Sequence, residues 1–281
     1  MSQPILLRDV VAALDARYRP SLAEDWDAVG LVCGDPSAAI SRIHFAVDAT
    51  LVTVEEAIAS GSQLLITHHP LLFDPVQSVA ATSTKGLIIH RLISNGVALF
   101  SAHTNADRAN PGVSDALAQA LCLLDVEVLE PMADEQGIGL GRIGRLGSPM
   151  RLADFLEHVS SALPVGVAGI KATGDPDKMV QRIAVCGGAG SSALPAVISA
   201  EVDAYVTSDL SHHRVGEFVD DVGRDGPVLI DASHFGTEWP WLKQATELLL
   251  MDLAGFGTTV ETTVSTLSTD PWSIHEPKRS V

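Results

Sequence analysis

One plan of elements occurs twice, in the same order, in this 281-residue chain, and it limits the possible folds more than any other feature. Leu7, Val10, Val11, Leu14 and Tyr18 lie on one face of an amphipathic helix, and Leu152, Phe155, Leu156, Val159 and Leu163 repeat that spacing. The apolar run Arg42–Val47 has a counterpart at Arg182–Val185, and Leu64–Thr67 has one at Ala204–Thr207. Thr207 lies 140 residues after Thr67, the offset that also separates Ile183 from Ile43. Val97–Ala102 is matched by Val228–Ala232. The first of these runs leads into His103-x-x-x-Asp107 and the second into His234-x-x-x-Glu238. Helices are predicted at about Val52–Ser60, Gly86–Ser94, Val113–Leu123, Ser192–Ser199 and Arg214–Val222. Strands that alternate with helices pair mainly in parallel, because each return crossing needs a helix.

Four correspondences in order imply an internal duplication. The expected fold is therefore α/β, with two similar, intertwined halves, 1–130 and 131–281, each built on a mostly parallel mixed sheet. Residues 131–150 form the join; Ile138, Leu140, Ile143 and Leu146 between its glycines predict that part of it is a strand. That glycine run lacks the helix signature of a nucleotide loop. Trp26–Pro36 reads as a short strand entering a turn, Val260–Ser268 as a last strand, and residues 271–281 as a mobile tail.

Composition removes several functional classes. With 46% hydrophobic residues, the chain can bury one large core or two smaller ones. No apolar run approaches the roughly 18 residues of a membrane span. Met1-Ser2-Gln3-Pro4 lacks a cationic start and an apolar segment, so no secretory leader is expected and the protein is placed in the cytoplasm. Acidic residues number 35 against 18 basic ones, a net charge of -17, which would repel nucleic acid phosphates. Cys33, Cys122 and Cys186 form no Cys-x-x-Cys and read as small apolar fillers.

The chemistry gathers just past the predicted strand ends. Leu64–Thr67 stops on His68-His69-Pro70, and His103, Asp107, Asp209, His212, His213, His234 and Glu238 follow other strands. Imidazole and carboxylate without thiolate suit zinc, manganese, iron or nickel. The set is large enough for two ions. In parallel sheets such residues converge beyond the carboxyl ends of strands, here in a cleft between the halves. An extended chain cannot aim His68 and His69 the same way, so a bend near Pro70 is required. His212-His213 reads equally as a surface pair. Asp209 suits either a helix cap or an outer partner of a ligand, and Asp48 and Asp231 are similarly open. Trp26 reads as a packing residue. The turn Cys186–Ser192 reads as a tight strand-to-helix connection, with an anion site as the alternative.

The motifs Trp26–Pro36, Ile66–Phe73, Ala102–Asp107, Val185–Ser192, Thr207–His213 and Asp231–Glu238 resemble those of the NGG-interacting-factor-three-like dinuclear metal family, also labelled GTP cyclohydrolase one type two homologues. The resemblance covers nearly the whole chain. It implies a toroidal homohexamer built from trimers and two divalent ions per chain. Their ligands map onto His68, His69, Asp107, His234 and Glu238, with His103 and His213 as candidate catalytic residues acting on substrate or water. Some relatives carry an extra domain between the halves, and the join here is too short for it. Ser208, Ser211-His212 and Ser233-His234-Phe235 depart from the family's usual residues without removing a ligand. The leading expectation is a metal-dependent hydrolase in which activated water attacks an electrophilic carbon or phosphorus of a small molecule. The family label points to ring opening of GTP, although no guanine or triphosphate pocket is recognisable. The alternative is a non-catalytic metal-binding scaffold or regulator.

Overall fold

A computed structural model describes residues 4–133, 135–164, 166–256 and 259–276. The first elements in chain order are α1 (Leu7–Arg17), β1 (Gly30–Cys33), β2 (Arg42–Ala46), α2 (Leu51–Ala59), β3 (Leu64–Thr67), α3 (Thr84–Ser94), β4 (Ala98–Ser101) and α4 (Thr104–Arg108). There follow α5 (Val113–Ala120), β5 (Leu124–Pro131), β6 (Gly139–Arg151), α6 (Leu152–Ala162), β7 (Lys171–Ala172), β8 (Met179–Ala189) and α7 (Leu194–Ser199). The last are β9 (Ala204–Ser208), α8 (His212–Val222), β10 (Val228–Ala232), α9 (His234–Leu253) and β11 (Glu261–Val264). No helix among the described residues is long and apolar enough to cross a membrane. The end of the predicted tail, residues 277–281, lies outside the described residues.

Two compact units form, Met1–Ala109 with Leu242–Thr269, and Asn110–Trp241 with Asp270–Val281. These bounds differ from the sequence halves 1–130 and 131–281 for a reason of pairing. The strand β5, before the join, hydrogen-bonds to β6 of the second sheet, and α5 gives Leu117 and Ala118 to that unit's core, with Leu121 directly after it. At the other end of the chain, β11 adds to β2 of the first sheet.

Both sheets are mixed. The first has the order β1-β4-β3-β2-β11; only the β1–β4 pair is antiparallel. The second has the order β5-β6-β8-β9-β10-β7, with parallel pairing at β8–β9–β10 and antiparallel pairing on the flanks. In the central strands of the second sheet, side chains alternate between two cores. Ile183, Val185, Val206 and Ile230 pack with Phe155 and Val159 of α6, whereas Ala184, Cys186, Tyr205 and Leu229 pack with Val197 and Phe218. In the first unit, Ala46, Leu65 and Leu99 join Val54, Ala57, Ile88 and Leu92 from α2 and α3. Cys186 is buried as a filler, but Cys122 is exposed, so that reading does not hold for all three cysteines. Its φ of 56° places it in the turn before β5, outside either core.

Register sets where the chemistry stands. Ala46, Thr67 and Ser101 are neighbours across β2, β3 and β4, so those strands end level. Asp48, His68, His69 and His103 therefore leave one edge of the sheet together. The antiparallel strand β1 begins opposite, with Gly30 beside Ser101, which brings Asp27 to the same edge. In the second sheet Ala189, Ser208 and Ala232 share a level, which groups Gly187, Gly188, Asp209 and His234.

Candidate functional site

In the first unit the turn after β3 is tied by hydroxyls. Thr67 Oγ1 donates to the His69 carbonyl at 2.8 Å, and Ser101 Oγ reaches the same oxygen at 3.4 Å. The chain bends where the sequence requires it, and the His68 and His69 rings lie 4.9 Å apart, centre to centre. His103 joins them, with ring centres 5.2 and 5.4 Å from His68 and His69. One nitrogen from each of the three rings lies within 4.8 Å of the others, a spacing that could hold a metal ion.

Each ring is oriented through Nδ1. His68 Nδ1 donates to the Ala102 carbonyl at 2.9 Å, His69 Nδ1 to Asp48 at 2.8 Å, and His103 Nδ1 to Asp27 at 2.8 Å. A carbonyl or carboxylate oxygen only accepts, so the proton sits on Nδ1 and the neutral ring carries its lone pair on Nε2. Burial would raise the Asp27 carboxyl, but hydrogen bonds from His103 and Thr104 outweigh it and hold the group well below the usual carboxylate range. Asp107, on the single turn of α4, places Oδ1 3.6 Å from His68 Nε2. That turn is anchored by Asn105, whose Nδ2 donates to the Tyr18 carbonyl at 2.7 Å.

The second unit carries a smaller group. His234 and Glu238 do not end a strand, as their sequence positions suggest; they open α9, one turn apart. His234 Nε2 lies 2.9 Å from Glu238 Oε1, and His234 Nδ1 bonds Asp209 Oδ2 at 2.7 Å. Asp209 is thus an outer partner of His234 and not the cap of α8, whose N-cap position is Ser211. Its backbone φ is 56°, a left-handed conformation that aspartate tolerates better than most residues. Glu238 is 2% exposed. The glycine turn after Cys186 packs against it: a Cβ on Gly188 would stand 2.3 Å from Glu238 Oε1. Gly188 N donates to Thr237 Oγ1 at 3.0 Å, and Thr207 Oγ1 donates to the Gly188 carbonyl at 3.0 Å. The turn thus shields a carboxylate, which makes the alternative of an anion site chemically unsuitable there.

The remaining candidates are placed as follows. His212 and His213 lie exposed on the first turn of α8 and meet each other edge-on at 5.3 Å; neither is in either donor group. Asp231 pairs with Lys171 at 2.7 Å. Asp27, directly after Trp26 in the motif Trp26–Pro36, orients His103, a role its sequence position alone does not mark.

Comparisons with known proteins cover nearly the whole chain. A sequence model of the family Duf34/NIF3 (NGG1p interacting factor 3) matches residues 5–271. A Streptomyces coelicolor protein named GTP cyclohydrolase 1 type 2 homolog is 43% identical over 277 residues, 96% of this chain and 94% of that protein. A Mycobacterium tuberculosis protein of the same name is 35% identical over 383 positions, covering 98% of this chain and 99% of its own. That alignment is longer than this chain, so the relative has residues without a counterpart here. The structure of a Staphylococcus aureus hypothetical protein is 27% identical and superposes with a TM-score of 0.89 over 97% of this chain and 100% of its own.

Proposed function

The chain belongs to the Duf34/NIF3 family, and from that premise we propose that it is a metal-dependent hydrolase with a dinuclear centre. His68, His69, Asp107, His234 and Glu238 hold two divalent ions drawn from zinc, iron, manganese and nickel. The observation that carries the reading is the common orientation of the imidazoles. The Nδ1 atoms of His68 and His69 are fixed by Ala102 and Asp48, so that each Nε2 carries the lone pair, while His234 stands between two carboxylates, Asp209 on Nδ1 and Glu238 on Nε2. Metal-binding histidines are held in this way, with a carboxylate or carbonyl on the far nitrogen. The donor set, imidazole and carboxylate only, fits these borderline ions.

A divalent ion there supplies Lewis acidity. The protein's own contribution is orientation and proton transfer. His103 is the general acid and base: Asp27 fixes its tautomer, and its Nε2 exchanges a proton with the reacting group. The name of the relatives supports a hydrolytic ring opening of a small heterocyclic substrate. His213, exposed on α8, has no part in this scheme. The proposal includes a homohexamer built from trimers, which light scattering tests.

Metal analysis of the purified protein after reconstitution tests the centre. Two ions per chain are expected, and a His68→Ala, Glu238→Ala double variant should lose them. Stoichiometric metal in the double variant would sink the ligand assignment. Profiling against nucleotides, phosphoesters and cyclic amides tests the reaction. A metal-loaded protein that turns over none of them is a scaffold and not a hydrolase.

A further inference from the structure

Two large aromatic side chains stand in solvent beside the histidine cluster of the first unit. Trp26 is 56% exposed and Phe73 is 42% exposed. Their ring centres are 5.4 Å apart with planes tilted by 38°, and each meets His103 edge-on at 6.1 Å. Trp26 therefore does not pack into the core, as its sequence position suggests. One exposed aromatic is ordinary on a protein surface, whereas two from separate segments against the same histidine form a built apolar surface. The elements that place the donors also place the rings. Trp26 precedes Asp27, which holds His103, and Phe73 follows the turn that carries His68 and His69.

The charge around the rings narrows the ligand. Both segments are acidic: Glu24, Asp25 and Asp27 flank Trp26, and Asp74 follows Phe73, with Asp25 and Asp74 exposed. Neither segment, 24–27 or 71–76, carries a basic residue. Arg108 is committed to Glu24 and to the Leu22 carbonyl. Flat apolar ring faces favour a planar partner, because aromatic stacking tolerates any π-face. The carboxylates oppose a phosphate chain on the same side. The imidazole edge of His103 favours a ring with polar edge atoms over a hydrocarbon.

We propose that Trp26 and Phe73 form a stacking subsite for the flat, uncharged nitrogen-heteroaromatic ring of the substrate, recognised as a free nucleoside-like group and not through a phosphate chain. This deepens the reading of the site given above and rests on it for the word substrate; the binding itself does not need the metals.

Saturation-transfer NMR and calorimetry on metal-stripped protein test the subsite, with adenosine, guanosine and their triphosphates as probes. Saturable binding of a nucleoside is expected, with the strongest transfer to its base protons and weaker binding of the triphosphate. Trp26→Ala should weaken nucleoside binding about tenfold or more, and Trp26→Phe should restore most of it. Phe73→Ala, checked for an unchanged unfolding temperature, provides a second variant should Trp26→Ala fail to fold. Absence of nucleoside binding in the wild type, equal binding in both alanine variants, or tighter binding of the triphosphate overturns the proposal. Metal content is measured on separate reconstituted samples. Loss of stacking with two ions retained on reconstitution therefore rejects only this subsite, and a protein that stacks nucleosides but takes up no metal on reconstitution rejects only the metal centre.

Discussion

Asp27 accepts the Nδ1 proton of His103 at 2.8 Å from a position 76 residues earlier in the chain, and its side chain is fully buried. Asp27 also takes the Thr104 backbone N–H at 3.0 Å, so it fixes both the ring and the start of α4. His103→Ala is expected to lower kcat about 10²–10⁴-fold without changing metal content. Asp27→Asn should lower it in the same direction, because an amide can present N–H to Nδ1 and favour the wrong tautomer. Kinetics and elemental analysis on the same samples decide this. Metal lost together with activity in His103→Ala would make His103 a ligand.

Asp209 plays the corresponding part for His234. Removing an outer partner of a ligand histidine typically costs about 10–100-fold in metal affinity. Asp209→Ala is therefore expected to weaken metal binding by that factor, read by competition with a chromogenic chelator. Unchanged affinity would show that the contact does not orient the ring.

Gly188 has a φ of 66° and lies against Glu238. Gly188→Ala should cost about 1–3 kcal/mol of stability through backbone strain. Because the added Cβ would meet Glu238 Oε1 at 2.3 Å and His234 Nε2 at 3.2 Å, metal content should fall as well. A chemical denaturation curve and a metal assay separate the two effects. Full metal content in a folded variant would mean the turn does not set Glu238.

The buried His44 predicts a pH dependence of stability. It bonds Thr263 at 2.6 Å and Glu56 at 3.1 Å, and Ser265 donates to the same Glu56 carboxylate at 2.6 Å, so this network ties β11 to β2 and α2. Burial pushes the imidazole below its ordinary value, and Glu56 only partly opposes this. The unfolded chain then binds the proton more readily than the fold. The contribution is complete above the ordinary value of about 6.5 and is lost as pH falls from there through the lower value His44 has in the fold. The denaturant midpoint should drop between pH 7.5 and 5.5 by less in His44→Asn than in the wild type. Equal drops would place the titration elsewhere.

Legibility along the chain followed burial. The strands Leu64–Thr67 and Val228–Ala232 have the bounds read from sequence, because nearly every residue in them is buried and apolar. The strand β5 carries a short period of two in Leu124-Asp125-Val126-Glu127-Val128, but as an edge strand it leaves six of its eight residues exposed, so the alternation marks no buried face and the strand escaped the reading. The helix α9 escaped as well, since Pro240 interrupts its pattern and His234 and Glu238 looked like the end of a strand.

By itself the sequence determined the α/β class, the family and the kinds of donor that cluster at strand ends. These follow from local periodicity and from short motifs. It could not say which nitrogen of each imidazole faces outward. That was decided by tertiary structure, because the proton on Nδ1 of His103, His69 and His68 is placed by Asp27, Asp48 and Ala102. Asp48 and Ala102 reach their histidines across neighbouring strand ends, and Asp27 does so through the antiparallel start of β1. A hydrogen bond to one ring nitrogen fixes the lone pair on the other, and only register brings the partners within reach.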